Sequence, residues 1–96
     1  MASPFTGERP PRLLNPEEPA PEDAEVWAFE GTLERVIGGS GRFPVSQRVA
    51  WPAPVEWEEV RAFGEWMVER LSINGHVLVG LRAWPEGRPE EGRLVG

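Results

Sequence analysis

The chain has no cysteine, lysine or tyrosine, and only one histidine and one aspartate. Without cysteine there are no disulfides, no thiolate chemistry and no Cys-based zinc site. A Ser-His-Asp arrangement would have to draw on His76, Asp23 and one of Ser3, Ser40, Ser46 or Ser72. Asp23 sits at the edge of a proline-rich segment, and no serine lies in a nucleophile-elbow pattern. His76 follows Asn74-Gly75, where a capping or solvent-facing role is natural, and a metal site there would have only carboxylates to add. The inventory therefore points away from an enzyme, and no cofactor or metal is expected.

Long apolar runs are missing as well. Nothing approaches the roughly 20 consecutive apolar residues that cross a bilayer, and the first residues lack the apolar run of a signal peptide. A soluble, unexported protein is expected, cytoplasmic or within a virion, with no membrane partner. Positive charge is also scarce: fifteen glutamates and one aspartate oppose ten arginines, for a net charge of −6. General nucleic-acid binding draws most of its affinity from neutralised phosphates, so that class is disfavoured. Arginine without lysine, beside eleven glycines and eleven prolines, reads first as codon bias in a GC-rich genome. Proline-rich loops also suit a thermophilic source, although the missing lysine runs against the hyperthermophile pattern.

What is present is aromatic and patterned. Five tryptophans and four phenylalanines give a chain of 96 residues enough large apolar side chains for one core. Residues 1–24 hold six of the eleven prolines and show no periodicity. They are expected to form an extended or disordered Pro-rich arm, with residues 25–96 as a single α+β domain. From Glu25 the pattern alternates, with Trp27, Phe29, Leu33 and Ile37 on one parity, as in a half-buried strand. Gly31 on that parity marks a bulge or a close backbone approach. Gly38-Gly39-Ser40-Gly41 supplies a hairpin turn; it lacks the lysine and the following helix of a phosphate-binding loop.

The second strand, Arg42 to Trp51, carries Phe43, Val45, Val49 and Trp51 on one parity. Pro44 places it at a sheet edge or at a bulge. A helix is predicted from about Val55 to Ile73, with Trp57, Val60, Phe63, Gly64, Met67, Val68 and Leu71 on one arc. Early glutamates suit its positive end, Gly64 suits close packing on the sheet, and Asn74-Gly75 suits its C-cap. The third strand, His76 to Trp84, is the most apolar and is expected to lie centrally, with Val77, Val79 and Leu81 in the core. Arg93 to Val95 could add a short fourth. The expected fold is thus a small, mainly antiparallel sheet, ββαβ or ββαββ, with one amphipathic helix packed on one face.

The most unusual feature is a repeated phrase: Ala50-Trp51-Pro52 and Ala83-Trp84-Pro85 each close a strand. With Trp66, which falls outside the helix's apolar arc, they suggest exposed aromatic surface flanked by Arg48 and Arg82. Tryptophan and arginine are enriched at binding hot spots. The arm adds Phe5, Leu13 and Leu14 as candidate contacts. The expected function is that of a non-catalytic interaction protein, an accessory or structural subunit of a larger assembly such as a virion. Its partner is another protein or a second copy. An alternative is an acidic inhibitor that mimics nucleic acid on a processing enzyme. In the first reading, deleting residues 1–20 is expected to leave the fold intact and to weaken assembly.

Overall fold

A computed structural model describes residues 10–95. The described chain forms strands β1 (Arg12–Leu14), β2 (Ala24–Arg35) and β3 (Arg42–Pro52), helix α1 (Trp57–Leu71), β4 (His76–Pro85), a single 3₁₀ turn (Pro89–Glu91), and β5 (Arg93–Leu94). The strands make one antiparallel sheet in the order β1-β3-β2-β4-β5. The α+β architecture is the expected one, with a helix on one face.

The long hairpin follows from the sequence pattern. β2 and β3 pair without interruption from Ala24 opposite Pro52 to Glu34 opposite Arg42. At the tip Gly38 (φ 82°) and Gly39 (φ 138°) adopt backbone angles that L side chains disfavour. The alternation puts Trp27, Phe29 and Gly31 of β2, and Val49 and Trp51 of β3, on the helix side, where they are buried. Alternation ends at Arg35, because the turn starts there: Ile37, expected on the apolar parity, is exposed.

β4 departs from simple alternation. Its register with β2 moves from Glu30 opposite Arg82 to Thr32 opposite Val79, so Gly80 and Leu81 face the single residue Gly31. Gly80 takes φ 64° to make this bulge. A one-residue bulge exchanges the faces of the strand. Leu78 before it, and Leu81 and Ala83 after it, are buried, while Val77 is exposed and Val79 only half-buried. The expected core positions Val77 and Val79 are corrected accordingly. Gly31 fits beneath the bulge: a Cβ there would stand 3.2 Å from Leu81 Cα and 3.3 Å from Leu78 Cδ1.

The central strand is β2, not β4. β4 owes its apolar character to the helix, which lies over it more than over β2. Its far edge is paired by β5 at Arg82 and Ala83, and the Ser72 hydroxyl accepts the Leu78 N–H at 3.1 Å. The Leu78 backbone groups therefore point away from β2. Alternation across the ladders then sets the Pro44 nitrogen on the free side of β3, where no donor is needed. Pro44 and the Ser72–Leu78 hydrogen bond thus each leave one fewer free donor on the sides of β3 and β4 beyond the short outer strands.

The helix begins at Trp57, two residues later than expected. Glu56 is extended (φ −92°, ψ 151°), and its N–H donates to the Glu59 carboxylate at 2.9 Å. It ends at Leu71, where Ser72 turns towards β4. Val60, Phe63, Gly64 and Met67 are its buried residues. Gly64 sits against Val95, just past β5, where an added Cβ would lie 2.6 Å from Val95 Cγ1. Phe63 is the hub of the aromatic core, 5.2 Å from Phe29, 5.7 Å from Trp51 and 5.4 Å from Trp66 between ring centroids.

Part of the segment expected as an extended or disordered arm contributes to the sheet. β1 pairs with β3, Arg12 opposite Ala50 and Leu14 opposite Arg48. Leu14 is buried with Val26 and Ala50 in a small second core on the face away from the helix. The physical reason is that Val26 and Ala50 are apolar on the outer parity, and the helix cannot cover both faces. Deleting residues 1–20 is therefore expected to destabilise the domain, since it removes β1 and uncovers Val26 and Ala50. Gly31→Val, which drives branched carbons into Leu81 and Leu78, should cost about 2 kcal/mol. A denaturant melt of each variant measures both effects.

Candidate interaction surface

The outer face of the sheet, opposite the helix, is built in two halves. On the β1 side the chain turns at Asn15-Pro16-Glu17-Glu18, with the Glu18 N–H donating to the Asn15 carbonyl at 3.1 Å. Arg48, rising from β3, secures this turn. Its Nη1 donates to the carbonyls of Asn15 (2.9 Å), Pro16 and Glu18, while Nε and Nη2 form a bidentate pair with the Glu86 carboxylate, each at 2.8 Å. The planar fork of arginine makes five donors available at once, which lysine could not match. Gln47 Nε2 completes the tie by donating to the Leu14 carbonyl at 3.1 Å. The hydrogen bonds from Arg48 hold the Glu86 carboxyl below the ordinary carboxylate value. The Glu18 carboxyl is likewise lowered, first by the Asn15 N–H and then by Arg12, its ion-pair partner.

The other half of the face is open. Trp84, opposite Ala28 of β2, is half-buried and lines two open depressions. One, of about 210 Å³, is lined by Glu30, Gly31, Thr32, Gly80, Arg82, Trp84 and Pro89. The other, of about 350 Å³, lies between Trp84 and the Leu13 to Pro16 wall that Arg48 supports. Arg82 stands opposite Glu30 across the ladder and leans over Gly92, where a Cβ would lie 2.7 Å from its Nη2. None of the ion pairs among the described residues includes Arg82.

The eight residues singled out from the sequence thus fall into different environments. Trp84 and Arg82 are brought together at the surface. Arg48 reaches the same face, but its hydrogen bonds are spent within the chain. Trp51 is 2 % exposed and belongs to the aromatic core, and Leu14 is buried, so neither is available to a partner. Trp66 is half-buried against Phe63. Leu13 is exposed, and Phe5 lies outside the described residues. Parity explains the contrast between the two Ala-Trp-Pro phrases. Trp51 shares the helix-facing parity of β3, whereas the bulge at Gly80 turns Trp84 outward.

His76 follows the Asn74-Gly75 turn as expected and opens β4, its Nδ1 3.1 Å from the Asn74 carbonyl. The carboxylates Glu30 and Glu34 lie on the outer face, and Glu34 pairs with Arg42 at 3.1 Å. The exposed group that the sequence did not signal is apolar: Val36, Ile37, Phe43 and Ile73. Ile37 and Phe43 had matched the core-facing alternation, and only the position of the turn and the reach of the helix expose them. No helix among the described residues is long and apolar enough to cross a membrane. Comparison with family models, with curated proteins and with solved structures finds no match.

Replacing Arg48 with methionine should lower stability by about 2 kcal/mol, because it strips three carbonyls and one carboxylate of a charged donor. For Glu86 the folded value lies below the unfolded one. Its contribution is complete above the ordinary carboxylate value, about 4.3, and is lost as pH falls through the lower folded value. Thermal melts of wild type and Glu86→Gln between neutral and acid pH should therefore differ at neutral pH and converge in acid.

Proposed function

We propose that the protein is a non-catalytic binding protein, a subunit of a larger assembly, which docks a partner protein through the open half of its outer sheet face. The observation that carries this reading is the placement of Trp84 beside Arg82 and Glu30. A half-buried indole, a cation outside any ion pair among the described residues and a carboxylate share one rigid strand surface, flanked by depressions that can receive side chains. Rigid aromatic area next to adaptable charge is what protein hot spots are made of. The open depressions suit protruding side chains better than an enclosed small ligand. Arg48 supports the reading indirectly, since it fixes the wall of the larger depression. The sequence alternative, an acidic nucleic-acid mimic, has less to draw on: Glu18, Glu34, Glu58, Glu65, Glu86 and Glu91 are all paired with arginines.

The test is affinity purification of the tagged full chain from its native host, with quantitative mass spectrometry, comparing wild type with Trp84→Ala and Arg82→Glu. Trp84→Ala should weaken capture of the specific partner by tenfold or more, as truncation of a hot-spot residue does, while far-UV circular dichroism remains unchanged. Equal recovery of the same proteins by wild type and both folded variants would remove this face as the docking site.

A further inference from the structure

At the end of the molecule remote from Trp27 and Trp57, two connections meet. The β2–β3 turn is held to the helix–β4 turn by the Gly75 carbonyl, which accepts the N–H groups of Val36 (2.8 Å) and Ile37 (3.2 Å). Gly75 itself, at φ 79°, lies so close that a Cβ would be 3.1 Å from Ile37 Cβ. The Phe43 ring packs near His76, with centroids 6.3 Å apart. These connections and the adjoining start of β3 carry four large apolar side chains that stay in water: Val36 is 56 % exposed, Ile37 72 %, Phe43 49 % and Ile73 56 %. Scattered single apolar residues on a surface are ordinary, but four at one end, on turns tied together by backbone hydrogen bonds, point to an interaction site.

We infer that this end is a self-association surface, where a second copy of the chain packs its own Val36, Ile37, Phe43 and Ile73 about a two-fold axis. Charge favours a second copy over approach elsewhere. The chain carries −6 overall, so most of its surface repels a like molecule. The segments that frame this end instead carry Arg35, Arg42 and Arg70 against Glu34 and Glu69. Both signs are present, with Arg42 and Glu34 already paired at 3.1 Å. A two-fold operation can set Arg35 or Arg70 of one copy against Glu69 of the other, the self-complementarity that an isologous interface requires. The tip also lets a neighbour approach closely, for a Cβ at Gly38 would meet nothing within 4 Å. In such a dimer the four apolar side chains form a dry centre and the charged residues around them a polar rim.

Sedimentation equilibrium of the full chain tests this. Wild type should show a monomer–dimer equilibrium at concentrations below about 1 mM. Ile37→Glu, which brings two carboxylates together across the axis, should raise the dissociation constant at least tenfold. Trp84→Ala should leave it unchanged, which separates failure here from failure of the sheet-face reading. Phe43→Glu provides a second variant if Ile37→Glu does not fold. Amide NMR shifts of wild type should move with concentration in residues 35–43 and 69–76. A wild type that remains monomeric, folded variants that associate as well as wild type does, or concentration-dependent shifts centred on other residues would each overturn the inference.

Discussion

The contact of Phe63 with Phe29, Trp51 and Trp66 is the point on which the structure turns. Burying a side chain of this size is worth about 2 to 3 kcal/mol on its own, and its ring links the helix to both long strands. A fifteen-residue helix, however, closes only one face of a five-stranded sheet. Everything on the other face follows from that shortage. Val26 and Ala50, apolar on the outer parity, need cover from some other part of the chain, and Leu14 on β1 supplies it. β1 has only three residues and would fray without support. Gln47 supplies that support at its last carbonyl, Leu14, and Arg48 at the carbonyls that follow it.

The remaining outer surface is left uncovered by the same arithmetic of elements. β4 has no long partner on its far side, and its bulge at Gly80 rotates the strand so that Trp84 faces out. A tryptophan in this position cannot join the helix-side core. It sits half-buried on the sheet with Arg82 and Glu30 for neighbours. The fold thus produces an aromatic and charged face as a consequence of topology.

Charge and edge chemistry complete the picture. Six glutamates are neutralised locally by arginine, mostly in exposed pairs that add little stability. The Arg48–Glu86 pair differs because Arg48 is largely covered and also serves three carbonyls. Pro44 and Ser72 each leave one fewer free backbone donor on β3 and β4 where the short outer strands do not reach.

Several features were legible in the residues alone. The glycine-rich turn, the alternation of β2 and β3, the amphipathic helix and the short last strand all rest on local rules, in which the period of apolar residues or the need for positive φ decides the outcome. Gly31 and Gly64 were readable as sites of close approach, though not what approaches them. The sequence could not reveal the fate of Leu14, Trp51, Arg48 or Trp84. Leu14 looked like part of a tail because nothing local distinguishes a strand whose partner lies more than thirty positions away. Arg48 looked free because its carbonyl partners come from a turn brought beside it by that pairing. Trp51 and Trp84 stand in identical three-residue phrases, yet one is core and the other surface. From Glu25 onward the sequence by itself determined which segments become strand or helix, since those choices depend on neighbours along the chain; β1 had no such local signal. Which face each residue joins was decided only by the tertiary structure, because a single bulge reverses a strand and one helix covers a single side.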